Sequence, residues 1–370
     1  MPARIMNSSL KPSLQPVFIG GYMHSGTTLL RKVLGRHSQL YPIRAETMFF
    51  EQLPVMLPKQ FPNLKDPDTR DAYMRFLIRK TQFDWPPVTE DEAEGDQPYQ
   101  PTAEEEQALL AGAADYDDYT DLFVYVFESI ARLDGRSVWL EKTPSHIFHF
   151  EDILRRLPEA RFIEMVRDPR DILASKQVRK HSDWAQQYGE TAGSRLQSAK
   201  GYDPLRDSLA WKSAIKAGNQ AAASHPDHIL RVRYEDLARE PAREVDRLCA
   251  FLGLTMEPAM LDVGWSNTTA KADDKRTGID ASAVNKWAKR LSPDVVATCQ
   301  WVCGEEMSAL GYTPVAVELR DNLQISRWVA RSGVDLSQRV HGLWRERGAT
   351  YVQTMVQNSL KRAGFLSKKS

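Results

Sequence analysis

Between Val17 and Leu30 the chain reads Val-Phe-Ile-Gly-Gly-Tyr-Met-His-Ser-Gly-Thr-Thr-Leu-Leu, an order of residue types suited to holding an anion. Glycines at 20, 21 and 26 let backbone N–H groups turn toward one point, and Ser25, Thr27 and Thr28 add hydroxyls. From Thr27 to Leu34 the spacing is helical, so the positive end of a helix dipole faces the same point. Four other polar residues stand just past short apolar runs: Glu46, Lys142, Arg167 and Tyr234. Packing does not call for charged or polar groups at five separate strand ends, so their convergence is the main functional signal.

The elements that would position these residues follow from pattern. Val17–Ile19 reads as a buried parallel strand. A second starts at Leu40 and leaves its carboxyl end at Arg44 to Thr47. A third, Ser137–Leu140, runs into Glu141-Lys142-Thr143-Pro144. The fourth is Arg161–Val166 and the fifth Ile229–Arg233, delivering Tyr234-Glu235-Asp236-Leu237. Helical spacing is read over 66–81, 104–110, 119–133, 148–156, from about Ile172, over 205–223 and over 242–252. Alternation of this kind predicts an α/β fold: a P-loop-type, mainly parallel sheet flanked by helices. In such a sheet ligands bind beyond the carboxyl ends of the strands.

The division expected is one α/β domain over 1–315 and a basic helical extension over 316–370, where Trp328, Val329, Leu336, Val340, Leu343 and Trp344 recur at roughly helical spacing. That extension is read as packing on the domain or a partner, with peripheral membrane contact as the alternative. The acidic, proline-bearing stretch 84–102 reads as a surface loop, or as a cover over an acceptor pocket.

Of the 370 residues, 42% are hydrophobic and 26% charged, ordinary for a globular chain. Lys+Arg and Asp+Glu both number 49, so nothing global points to nucleic acid, and an anion site must come from local arrangement. Cys249, Cys299 and Cys303 are too few for a disulfide framework and read as buried thiols. No metal site is expected. Residues 1–16 lack the apolar core of a signal peptide and no window is apolar enough to span a membrane, so the expectation is a cytoplasmic protein.

The loop nearly fits the G-x-x-x-x-G-K-[ST] pattern that binds nucleoside triphosphates, but Thr27 stands at the lysine position. Without that cation the loop suits a phosphate outside a magnesium triphosphate, which argues against a P-loop kinase. Three segments together resemble the sulfotransferases that use 3′-phosphoadenosine 5′-phosphosulfate (PAPS). Tyr22 to Leu30 is similar to their 5′-phosphosulfate loop and Val166 to Ser175 to their 3′-phosphate site. Trp139 to Pro144 is similar to the lysine-bearing strand end of bacterial members and of the tyrosylprotein branch. A fainter likeness, to the region closing over the nucleotide, lies in Asn285-Lys286-Trp287 and Leu291-Ser292-Pro293.

The resemblance implies a transferase moving a sulfuryl group from PAPS, without a metal, to a hydroxyl or amine of a small-molecule, glycan or peptide acceptor. Ser25, Gly26, Thr27 and Thr28 would hold the 5′-phosphate. Arg167 and Ser175 would take the 3′-phosphate, and Tyr234 and one of Lys275 or Arg276 would lie near the nucleotide. Arg170 is read instead as an ion-pair partner of Asp168 and Asp171. The chain departs from the family at His24, where a lysine or arginine is usual; an imidazole is half-charged only near pH 6.5. Lys142 would then carry more of the charge forming on the leaving oxygen. The proton-accepting base would be Glu46, which matches the glutamate of the tyrosylprotein branch after one residue of extra spacing, or its rival His146, four residues beyond Lys142 where the cytosolic branch has a histidine two residues on. The acceptor, the oligomeric state and a non-catalytic, nucleotide-binding alternative stay open.

Overall fold

The computed structural model describes residues 15–82, 99–180, 202–263, 278–279 and 281–317. Five strands, β1 (Val17–Gly21), β2 (Leu40–Pro42), β3 (Val138–Lys142), β4 (Arg161–Val166) and β5 (Ile229–Arg233), form one sheet in the order β2-β3-β1-β4-β5. Every pairing is parallel: Ile19 lies opposite Lys142, Gly21 opposite Met165, and Val166 opposite Arg233. All five carboxyl ends therefore share one edge, with β1 and its loop at the centre. β4 and β5 have the bounds expected from their apolar runs.

The two-residue period of the strands sorts the core into two faces. On one, Phe18, Trp139 and Phe162 pack with Phe49, Phe50, Phe123 and Phe127. Trp139 meets Phe18 and Phe123 edge-on at 5.4 and 5.6 Å, an arrangement that favours the ring quadrupoles. On the other, Val17, Ile19, Leu140, Ile163, Met165 and Val232 meet the helices Thr27–Gly35 and Pro241–Leu252 through Leu30, Val33, Val245 and Leu248. Each fully buried side chain of this size contributes roughly 1.5–3 kcal/mol. The same period sends the adjacent Glu141 and Lys142 to opposite faces, which bears on the site.

Several elements start earlier or differ from their sequence reading. The helix expected from Ile172 begins at Pro169, whose fixed φ suits a first helical position. The helix expected from Phe148 is a 3₁₀ segment, Pro144–His149, followed by an α-helix, Phe150–Arg156. Short helices Phe49–Gln52, Met56–Gln60 and Tyr234–Arg239 carry too few turns to show a period. Tyr234 is thus the first residue of a helix directly after β5. The Tyr119–Leu133 helix has its expected bounds, with Asp118 accepting from the N–H groups of Thr120 and Asp121. Cys249, Cys299 and Cys303 are buried free thiols. Lys275, Arg276, residues 84–98 of the acidic stretch and all but 316–317 of the carboxyl-terminal extension lie outside the described residues. Among the described residues no helix is long and apolar enough to cross a membrane.

Candidate active site

The loop between β1 and the Thr27–Gly35 helix sits at the centre of the carboxyl edge because two glycines permit close approach. Gly21 has φ 141° and a Cβ there would lie 2.3 Å from the Met165 carbonyl oxygen. Gly26 has φ 100° and a Cβ would meet the Tyr234 ring at 2.6 Å. Gly26 is also the helix N-cap, and no side chain caps that end. The first-turn N–H groups, left over by helix geometry, are thus available to an anion. Ser25 is fully buried and its hydroxyl has no hydrogen-bond partner. Thr27 is buried and Thr28 exposed. His24 holds a left-handed conformation, φ 66°.

Arg167, at the end of β4, lies against this loop. Its Nη1 donates to the His24 carbonyl at 3.3 Å and its Nη2 to the Ala283 carbonyl at 2.8 Å, while Nε is buried without a partner. The guanidinium lies 4.2 Å over the Tyr234 ring, so Tyr234 is a buried platform beneath both Gly26 and Arg167. Ser175 lies half-buried two turns into the helix that starts at Pro169. Asp171 of that helix accepts from the N–H groups of Asn285 and Trp287 at 2.7 and 2.9 Å, pinning the 283–287 segment beside Arg167. Arg170 is bound to Asp168 at 2.7 Å and stacks over Trp287 at 4.0 Å; the Asp168 half of the ion-pair network read from sequence is present, buried and not at the surface, while Asp171 serves backbone N–H groups.

On the β3 side, Lys142 donates from Nζ to Oε1 of Glu46 at 2.6 Å. The lysine side chain is 7% exposed and the glutamate 44%. Glu141 takes no part in this pair. It points to the aromatic face, where its Oε1 accepts from the Thr47 N–H, the Thr47 hydroxyl and the Thr143 hydroxyl at 3.2, 2.9 and 2.5 Å. Its Oε2 lies 2.9 Å from Nδ1 of His146. His146 is fully buried, with Nε2 at 3.2 Å from Glu51. Both imidazole nitrogens face carboxylates, and the ring is turned away from the solvent-accessible edge that Glu46 occupies.

A third cluster borders the loop at Tyr22. Lys176 Nζ donates to the Tyr22 hydroxyl at 3.0 Å and to Asp207 at 2.9 Å. Burial, then the Asp207 charge, push the Tyr22 phenol well above its ordinary value. Lys176, Asp207, Glu51 and Glu141 were not picked out as site residues by sequence reasoning. Lys176 follows Ser175 directly, and Glu141 precedes Lys142, but nothing in their spacing shows which face or partner each takes.

The geometry thus brings Ser25, Gly26, Thr27, Thr28, Arg167 and Tyr234 together, sets Glu46 on Lys142 beside them, and draws His146 into the core. A model of the sulfotransferase family matches residues 16–258. Carbohydrate sulfotransferase 1 of Danio rerio is 30% identical over 179 residues, 44% of this chain and 41% of that one. An uncharacterised protein of Aquifex aeolicus is 25% identical over 287 residues, 75% of this chain and 31% of that one. The chain thus spans well under two thirds of the length of these relatives. In fold it is similar to the sulfotransferase domain of the Synechococcus PCC 7002 olefin synthase, with TM-score 0.51 and 20% identity over 83% of this chain and 98% of that domain.

Proposed function

The chain belongs to the sulfotransferase family, and on that premise we propose that it moves a sulfuryl group from PAPS to an acceptor hydroxyl, with Glu46 as the proton acceptor. The observation that carries this reading is the Glu46–Lys142 contact of 2.6 Å at the end of β3, one strand away from the anion loop. The residues present fit the donor. A fully buried, unpartnered Ser25 hydroxyl and an unpartnered Arg167 Nε cost about 1–3 kcal/mol each unless a ligand meets them, and a nucleotide with two separate phosphate groups supplies acceptors for both.

Backbone N–H groups from Gly26 to Thr28, with the Ser25, Thr27 and Thr28 hydroxyls, would hold the 5′-phosphate end, and Arg167 and Ser175 would hold the 3′-phosphate. The Ser25 N–H is given to the Tyr22 carbonyl at 3.2 Å. Tyr234 supports the guanidinium from below. Lys275 or Arg276 remains the proposed cation closing over the phosphates. PAPS supplies the sulfuryl group and the leaving phosphate. Glu46 takes the acceptor proton at a carboxylate oxygen; its exposed side chain is open to a bound hydroxyl, whereas both nitrogens of His146 face carboxylates. Lys142 orients the Glu46 carboxylate through their 2.6 Å contact and is the cation next to the loop where charge develops. A sugar hydroxyl heads the acceptor panel, because carbohydrate sulfotransferases are among the relatives.

Calorimetry tests the donor half. Adenosine 3′,5′-bisphosphate is expected to bind at least about tenfold more tightly than ATP-Mg, a difference of about 1.4 kcal/mol. Tighter binding of ATP-Mg, or binding of neither, refutes the reading, and sulfate transfer from labelled PAPS then separates an enzyme from a binder.

A further inference from the structure

On the face of β3 opposite Lys142 lies a buried ionic cluster that the proposed reaction does not use directly. Glu141 is the penultimate residue of β3, His146 sits in the 3₁₀ segment, and Glu51 comes from the Phe49–Gln52 helix. All three are buried. We propose that Glu141, His146 and Glu51 are positioning residues, a fixed-charge clamp in which His146 is a standing imidazolium that locks the turn bearing Glu46 onto β3. The inference rests on the reading of Glu46 as the base.

The connection to Glu46 is direct. Glu141 Oε1 gathers the N–H and hydroxyl of Thr47 and the hydroxyl of Thr143. Thr143 Oγ1 accepts in turn from the Met48 N–H at 3.3 Å. Met48 has φ 49°, a left-handed conformation that a non-glycine residue holds only where its surroundings enforce it. Residues 47 and 48 are therefore tied to one carboxylate immediately after Glu46. A carboxylate buried without a cation would be costly, and His146 supplies that cation.

The imidazole bridges the two acids. Nδ1 lies 2.9 Å from Glu141, and Nε2 lies 3.2 Å from Glu51 as an ion pair not aligned for a hydrogen bond. Ser145 donates its hydroxyl to the other Glu51 oxygen. Phe18 and Phe50 wall the ring edge-on at 6.0 and 5.3 Å. His149 faces it at 6.5 Å and has Asp152 3.8 Å from its own Nδ1, and Lys80 lies within electrostatic reach of Glu141 and Glu46. Burial opposes charge on His146, yet the two carboxylates outweigh it and raise the imidazole to about 10. Burial likewise opposes ionisation of Glu141 and Glu51, and the imidazolium overcomes it. The three charges answer one another through the His146–Glu141 and His146–Glu51 contacts.

The test uses the full-length protein labelled with ¹⁵N. The His146 imidazole is expected to show two protonated nitrogens from pH 6 to 9; titration near pH 6.5 with one bare nitrogen overturns the clamp. Hydrogen exchange at the Thr47 and Met48 amides is expected to speed up at least tenfold in His146→Gln, with Ser25 to Thr28 unchanged. Equal exchange rates in the two proteins overturn the positioning role. In turnover, His146→Gln should lose at least tenfold in kcat, keep its bisphosphate affinity within twofold, and retain the acid limb of the pH–rate profile. Loss of that limb would make His146 the base and refute the clamp. Should His146→Gln not fold, Thr47→Val reads the same amide exchange at Met48, and the imidazole measurement needs only the wild type. If the wild type neither binds bisphosphate nor transfers sulfate, the reading of the function fails, while the imidazole and exchange measurements still decide the clamp.

Discussion

On the β4 side of the loop, polar atoms are left over; on the β3 side they are largely consumed. Ser25 Oγ and Arg167 Nε are buried with no partner, and the Thr27–Gly35 helix begins without a side-chain cap. Across the loop, Glu141 alone receives three donors and an imidazole, and Lys142 is paired with Glu46. The first side gives up stability to keep donors for an anion. The second spends its polar groups on one another and gains position. The proposed transfer would need both: donors kept free where charged phosphates arrive, and a base whose place is set before the acceptor enters.

Stability against pH probes the consumed side and carries the largest expected effect. His146 is raised to about 10, above the ordinary 6.5 or so of an unfolded chain. Its contribution is therefore complete below about pH 6.5 and is lost as pH rises toward 10, by up to about 1.4 kcal/mol per pH unit. Glu141 and Glu51 are lowered, so theirs is present above the ordinary carboxylate range and is lost as pH falls below it. Unfolding by denaturant should find His146→Gln less stable than wild type by about 3–5 kcal/mol near pH 6, the gap narrowing toward pH 10. A gap independent of pH would mean that the cluster is held by packing and not by charge.

Exchanging the two sides' functions in variants sharpens the comparison further. Glu46→Gln should lower kcat by about 10²-fold or more and leave bisphosphate affinity within twofold. Arg167→Met should do the reverse, weakening the bisphosphate about 30-fold, near 2 kcal/mol for the loss of charge-assisted hydrogen bonds. Should Glu46→Gln also lose tenfold in bisphosphate affinity, the two sides do not act separately.

How far each side was legible in the sequence follows from the same difference. The anion loop is contiguous, since Gly21, Ser25, Gly26 and Thr28 lie within eight residues, and glycine spacing beside an apolar run carries its own meaning. β4 and β5 were readable because Arg161–Val166 and Ile229–Arg233 are short apolar-rich runs between turn signals. The clamp is assembled from residues 51, 141 and 146, and the hydrogen bond from Thr47 to Glu141 spans 94 positions. Sequence shows a histidine four places after Lys142 and makes it a rival base; only the fold shows it enclosed by Phe18, Phe50 and two carboxylates. Lys142 is the last residue of β3 and pairs with Glu46. Its choice of Glu46 over the neighbouring Glu141 comes from strand alternation, a property of register and not of proximity in the chain.

His24 stands between the two sides and gives the smallest expected effect. The resemblance leads one to expect a cation at this position, and the backbone of His24 is left-handed at φ 66°, where histidine is tolerated better than most non-glycine residues. Its carbonyl accepts from Arg167, so the backbone at this position already helps hold the β4 side. A lysine would add fixed charge beside the leaving oxygen, worth on the order of 1 kcal/mol at a half-exposed position. Part of that gain would be offset by a less favourable backbone, because left-handed φ costs roughly 1–2 kcal/mol for ordinary residues. The sum predicts that His24→Lys changes kcat at pH 8 by no more than about threefold in either direction, and flattens whatever decline wild type shows from pH 6 to 8. A tenfold loss at both pH values would instead assign His24 to holding the loop and Arg167 in place, moving it wholly onto the donor side. A tenfold gain at pH 8 would show that Lys142 does not make up for the missing cation.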